Sequence, residues 1–308
     1  MLRKLSVAAL TGILLATGFA GTASAETVLE KVARTGVLTV GARTNLIPYS
    51  YTDGQSELVG YSLDIANLIR DEVEQYLGKE IVLDIVEVGS FSDRISLLRG
   101  NRGIDMSCGV IFTWERNLVA DFSMSYGIAS TRLLVRSVTD LDDDTSLSAK
   151  KVGVPPGPLV RPAVELIYPD AVLVEIETYE AGMDALDSGE IDLLAGDSIL
   201  LNGYTQPRGA ENYTFFSNNP PIRYGVACMT DQDNSSFMNL VDYSIARFMD
   251  RYITGDPAAV AIVERWFGPE GVVPIGEDRL SLLDDFFRFQ LLTRAQVPPD
   301  GIDFSFSN

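Results

Sequence analysis

The chain reads as an α/β protein of two lobes, because one order of strands and helices is written twice and amphipathic helices follow the second copy. In the first copy, Gly36 to Gly41 forms a short strand entering a polar loop. Tyr61 to Leu77 then carries Leu63, Ile65, Ala66, Leu68, Ile69, Val73 and Leu77 at helical spacing, and Gly78 ends that helix. A strand over Ile81 to Val88, a cap-and-helix segment over Ser92 to Leu98, Gly100 and a strand opening Ile104-Asp105-Met106 complete a β-α-β-α-β order.

The second copy runs through a strand at Lys151 to Val154, a Pro/Gly loop and a helix near Arg161 to Ile167. A strand at Ala171 to Ile176, a helix at Ala181 to Leu186 and a strand opening Ile191-Asp192-Leu193 follow. Gly103-Ile104-Asp105 is echoed by Glu190-Ile191-Asp192, each after a short helix ending in Gly. Between the copies, Thr139 to Thr145 is an acidic run that reads as a solvated loop. It lacks the Gly and the distal Glu of a calcium loop, so no metal is expected there. After the second copy, Met238 to Tyr252 and Ala258 to Phe267 read as amphipathic helices followed by a polar tail. A chain that builds one lobe, builds a second and ends in helices can return to the first; its paired crossings form a hinge beside a cleft. The expected division is 26–131 with 224–308 for lobe 1 and 132–223 for lobe 2.

Residues 1–25 read as a secretory signal: Arg3 and Lys4, an apolar run, then Ala23-Ser24-Ala25. The run is too short to span a bilayer. No Cys follows the cleavage site, so a soluble exported protein, not a lipoprotein, is expected. The formal charge is −19, and loss of the signal's two cations deepens it by two. Nucleic acid and anionic membrane are therefore poor partners, and an anionic ligand would need a local cationic site. The chain has no His, which removes Ser-His and Cys-His catalysis and the commonest zinc ligand. Neither a metal nor a cofactor is expected. Cys108 and Cys228 could form a disulfide in an oxidising compartment or remain buried thiols; the sequence leaves both open.

Thr113-Trp114-Glu115-Arg116 follows a predicted strand, with Thr113 in N-cap position and Arg116 in the first helical turn. A cation there opposes the helix dipole unless an anion is near. A ligand carboxylate would satisfy it, since the planar guanidinium can donate two parallel hydrogen bonds. Pairing with Glu115 or Asp121 at the surface is the alternative.

The strand 36–41, Pro48-Tyr49-Ser50-Tyr51, Leu58 to Asp64, Asp93-Arg94-Ile95, Thr113 to Arg116 with Asp121-Phe122-Ser123, Gly196-Asp197-Ser198 and Trp266-Phe267 together resemble solute-binding protein family 3. These are the polar amino-acid-binding proteins of ABC importers, and the glutamate/aspartate type is nearest. The resemblance implies a Venus-flytrap fold, each lobe a mixed sheet flanked by helices. It also implies a periplasmic, monomeric protein that delivers an amino acid to an inner-membrane permease. By the same resemblance, Arg116 holds the ligand α-carboxylate and Asp197 its ammonium. Arg43 stands where glutamate/aspartate-binding relatives have Arg and lysine- and histidine-binding relatives an acid, and Arg94 matches a further motif arginine; the two imply a second ligand carboxylate.

By the same resemblance, Gly109, Ile111 and Thr113 would fall in the ligand loop, although Val110, Ile111 and Phe112 replace its usual hydroxyls. Leu46 stands where an aromatic often covers the ligand, so Phe91, Phe112, Trp114 or Tyr179 would wall the site. The second-lobe loop is Pro155-Pro156-Gly157-Pro158, and proline removes backbone donors. Some relatives are exported dehydratases of prephenate-like or arogenate-like acids; here Glu115, Glu165 and Glu180 would be the candidate acids, none with a specific motif. A receptor sensor domain is a third reading, but no span or signalling segment follows in the chain. Binding rather than catalysis is the expectation.

Overall fold

The computed structural model describes residues 26–139, 141, 147–157, 159–216 and 222–293. Residues 1–25, read from sequence as a signal, and residues 140, 142–146, 158, 217–221 and 294–308 lie outside these, and with them most of the acidic run.

In the first half, α1 (Val28–Thr35) precedes β1 (Val37–Ala42), and a small antiparallel corner of β2 (Asn45–Leu46), β3 (Ser50–Thr52) and β4 (Leu58–Val59) leads to α2 (Tyr61–Leu77). Gly60 starts α2 because a Cβ there would collide with the Tyr49 backbone. β5 (Val82–Glu87), α3 (Phe91–Leu98), β6 (Met106–Ile111), α4 (Trp114–Asn117) and β7 (Asp121–Phe122) follow. The cap of α3 is Ser90, two residues before the expected start. Its hydroxyl accepts from Asp93 N–H while the Asp93 carboxylate accepts from Ser90 N–H, a reciprocal pair that fixes the helix start.

The long strand β8 (Gly127–Arg136) carries the chain into the second half. There β9 (Lys151–Val154), α5 (Val160–Ile167), β10 (Val172–Glu175), α6 (Tyr179–Ser188), β11 (Leu193–Asp197), α7 (Ser198–Thr205) and β12 (Tyr213–Phe216) form the second lobe. β13 (Ile222–Thr230) returns, and α8 (Ser235–Ile253), α9 (Pro257–Phe267) and α10 (Glu277–Thr293) pack on the first lobe.

Each lobe has a parallel trio, β5-β1-β6 and β10-β9-β11, and the antiparallel crossing strands β8 and β13 join the trios into one hydrogen-bonded path. Both lobes are layered. In the second, Leu133, Val135, Leu193 and Ala195 pack with α5 on one face, while Leu134 and Leu194 pack with α6 and α7 on the other, the alternation a pleated strand imposes.

The sequence echo has a structural counterpart. Asp105 N–H donates to Thr39 O while the Asp105 carboxylate accepts from Thr39 N–H; Asp192 makes the same two-way join to Lys151. In the first lobe Lys31 adds a 2.7 Å ion pair to the fully buried Asp105.

The expected polar tail after Phe267 is partly wrong, because residues 277–293 form α10. Phe287 is fully buried against Phe248 and Tyr252 of α8, so packing supplies the helix that the weak local periodicity did not signal.

Cys108 and Cys228 are joined in a disulfide between β6 and β13. It sits at a bulge: Val110 pairs with Ala227 and Ser107 with Met229, so Cys108 and Gly109 together oppose Cys228. The bulge turns Gly109 to φ +71°, where a side chain is disfavoured.

Candidate functional site

A parallel strand presents its following loop at its carboxyl end, and ligands of α/β sheets gather there. Here the two trios point those ends at each other. Arg43 follows β1, Phe91 and Arg94 follow β5, and Arg116 follows β6. From the other lobe, Pro155 and Pro156 follow β9, Glu177 to Tyr179 follow β10, and Asp197 ends β11. All of these line one cavity of about 250 Å³, together with Leu46, Tyr49, Gly109, Ile111, Tyr204 and Tyr224.

The first-lobe wall is cationic. Arg94 is buried, donates to Ser107 Oγ at 3.4 Å, and leaves Nε without a hydrogen-bond partner among the described residues. Burial lowers its pKa to about 10, and the nearby positive charges of Arg43 and Arg116 push the same way. Arg94 therefore sits within electrostatic reach of the other two guanidiniums. Arg116 lies over the Phe91 ring, with Cζ 4.6 Å from its centroid, and donates through Nη1 to Ile111 O at 2.8 Å. Its pairing with Glu115 or Asp121 does not occur, and no carboxylate among the described residues forms an ion pair with Arg43, Arg94 or Arg116.

The opposite wall is anionic and aromatic. Asp197 is the N-cap of α7: Oδ1 accepts from Ile199 and Leu200 N–H at 2.8 and 3.0 Å, and Oδ2 accepts from Tyr224 OH at 2.9 Å. Burial raises its pKa, against the lowering effect of those three hydrogen bonds. Asp197 N–H in turn donates to Tyr179 OH, and Tyr179 stacks loosely with Tyr204. Tyr204 OH donates to Asn45 O at 3.0 Å, a contact that spans the mouth between the lobes. The cavity can thus hold anionic groups on one side and one cation at Asp197 on the other.

Of the residues singled out from sequence, Arg43, Leu46, Phe91, Arg94, Gly109, Ile111, Arg116, Tyr179 and Asp197 come together in this cavity, and Thr113 and Phe112 do not. Thr113 caps α4 by accepting from Arg116 N–H, so it positions the arginine. Phe112 packs edge-on against Trp114 and Phe122 along an outer groove, because the extended β6 turns its side chain away from the mouth. Trp114 is three-quarters exposed (75%), neither core nor cavity wall. Tyr49, Tyr204, Tyr224 and Glu177 were missed. Tyr224 had no local signal, since its partner Asp197 is 27 residues away on a different strand.

Among the candidate acids of the dehydratase reading, Glu165 pairs with Arg161 and Glu180 with Arg208 at the surface; Glu115 borders only the outer groove. No group of three His, Cys, Asp or Glu side chains fit for a metal ion occurs among the described residues.

Residues 38–269 match the family described as bacterial extracellular solute-binding proteins, family 3. The chain is 28% identical to a glutamate/aspartate import solute-binding protein of Escherichia coli K12, over 84% of each chain. It is 24% identical to an L-glutamate/L-aspartate-binding protein of Pseudomonas aeruginosa, over 83% of this chain and 87% of the relative. In fold it is similar to a solute receptor for L-cysteine of Neisseria gonorrhoeae, with a TM-score of 0.64 at 20% identity over 79% of this chain and 94% of the other.

Proposed function

The chain belongs to family 3 of the bacterial extracellular solute-binding proteins, and from that premise we propose that it is the periplasmic receptor of an amino-acid ABC importer, closing on glutamate, aspartate or an amide relative. The observation that carries the reading is the convergence of Arg43, Arg94 and Arg116 on one side of the cavity with Asp197 on the other. A dicarboxylic amino acid has the matching charges. Arg116 takes the α-carboxylate, Asp197 the ammonium, and Arg43 with Arg94 the side-chain carboxylate.

Each charge would otherwise be desolvated at a cost of several kcal/mol, so closure depends on the ligand meeting both walls. The moving bodies are residues 26–131 with 224–308 and residues 132–223, turning about the crossing strands β8 and β13. The working form is a monomer, soluble after export, that hands its cargo to an inner-membrane permease. A binding role rather than a dehydratase role is supported by the binding-protein relatives, and the acids the sequence offered for catalysis, Glu165 and Glu180, stand in surface ion pairs, leaving Glu177 as the glutamate in the cavity lining.

Native mass spectrometry of the protein as purified tests the reading, because tight cleft ligands travel with their receptors. The expected adduct has the mass of glutamate, aspartate or an amide; a basic amino acid in its place would overturn the charge argument.

A further inference from the structure

The two crossing strands have two faces, and only one belongs to the cleft. Asp197 pairs with Thr131, and Ala129 with Tyr224, so these side chains share the cleft face. The alternate residues Ser130, Arg132 and Arg223 point to the other side, where they line a second cavity of about 270 Å³. Another part of its wall comes from Phe267, Ile275 and α10, through Asp278, Arg279, Leu282 and Leu283, while Tyr49 and Ala129 reach it from the cleft side. That helix lies beyond the stretch 38–269 that matches the family.

Two cations are held together here. The guanidiniums of Arg132 and Arg279 both lie over the ring of Phe215, with Cζ 4.9 and 5.4 Å from its centroid. Arg279 is partly buried, and its pKa is lowered by that burial with no carboxylate to offset it. Arg223 adds a third cation at the rim, where it also borders the outer groove, and neither Arg223 nor Arg279 forms an ion pair among the described residues. Asp278 is the one acid among the lining residues, against three arginines. Arg223 and Arg279 thus present two cations to this cavity with no carboxylate paired to either among the described residues, and an anion entering it would meet both.

We propose that this cavity behind the hinge is a second ligand site, taking a small monocarboxylate with an apolar body. Arg223 and Arg279 receive the carboxylate, and Ile275, Phe267, Leu282 and Leu283 cover the body. The site does not depend on what the cleft binds.

Benzoate serves as the probe and benzamide, its uncharged analogue, as the control, titrated by calorimetry into the full exported chain, its Arg116→Ala variant, and the Arg279→Gln and Arg223→Gln variants. Benzoate should bind wild-type and Arg116→Ala protein alike, benzamide about tenfold or more weakly, and each of the other two substitutions should weaken benzoate about tenfold, the scale for one hydrogen bond to a charge. Absence of benzoate binding, binding unchanged in both Arg279→Gln and Arg223→Gln, or loss of binding in Arg116→Ala, which would place the probe in the cleft, each overturns the proposal. The Arg223 variant alters an exposed side chain and so keeps the test valid if Arg279→Gln fails to fold.

Discussion

Tyr224 donates its phenolic hydrogen to Asp197 at 2.9 Å, so the carboxylate at the tip of β11 is held both by the helix it caps and by the strand that crosses between the lobes. Asp197 is therefore a joint in the fold as well as a charge in the cleft. Its two roles separate by substitution.

Asp197→Asn keeps an acceptor for Ile199 and Leu200 N–H and removes the charge. Ligand affinity should fall by roughly 2–5 kcal/mol, the scale for stranding one member of a buried charge pair, while the melting temperature without ligand does not fall at neutral pH. Asp197→Ala should lose the same affinity and a further cap contribution of about 1 kcal/mol of stability. Calorimetry and thermal melts on both variants check this; wild-type affinity in Asp197→Asn would remove the residue from the ligand site.

The raised pKa of Asp197 carries a sign. A carboxyl whose pKa is higher folded than unfolded favours the folded state while protonated, so its stabilising effect is complete below the ordinary carboxylate pKa and is lost as pH rises through the folded value. Without ligand, Asp197→Asn should therefore flatten the stability profile across that window relative to wild type. Tyr224→Phe removes a donor to the ionised form, raises the pKa further and should extend the loss to higher pH. It should also cost roughly 1–3 kcal/mol at neutral pH, the penalty for an under-satisfied buried acceptor. Denaturant melts between acid and neutral pH read both effects; parallel profiles for wild type and Asp197→Asn would contradict them.

The disulfide closes a loop with a sequence separation of 120 residues and pins the bulge that sets Gly109 in the cavity wall. Replacing Cys108 and Cys228 together by Ser should lower stability by roughly 2–5 kcal/mol. Reduction of the wild-type protein should shift its melting point in the same direction. Equal melting points for the oxidised and reduced protein would show that the bridge contributes nothing.

Gly109→Ala tests the bulge itself. The residue sits at φ +71°, and an added Cβ would lie 3.1 Å from Ser62 Oγ. A loss of roughly 1–2 kcal/mol is expected from the left-handed conformation alone. A variant as stable as wild type would mean that the bulge relaxes.

The repeated β-α-β-α-β order was legible because it rests on local periodicity: α2 and β9 fall on the residues read from sequence. So was the placement of Arg43, Arg94 and Arg116 after strands and of Asp197 at a strand end, all of which carry motif context. What escaped was non-local. β8 and β13 run through mixed residues whose strand character comes from pairing with each other and with β6 and β11, and α10 owes its helix to the burial of Phe287. The tyrosines of the cleft give no periodic signal; Tyr224 matters only because β13 brings it to Asp197. Phe112 was misjudged because a strand alternates its faces, and one residue's shift turns a wall into an outer surface.

The most direct test is calorimetry of refolded, ligand-stripped protein against the twenty amino acids, repeated with Arg116→Ala and with Arg43 and Arg94 each changed to Gln. Glutamate, aspartate or an amide should bind wild type; Arg116→Ala should weaken that binding by roughly 2–5 kcal/mol, and the Gln variants should weaken the dicarboxylates more than the amides. Binding of arginine or lysine in preference, or of none of the twenty, would contradict the account.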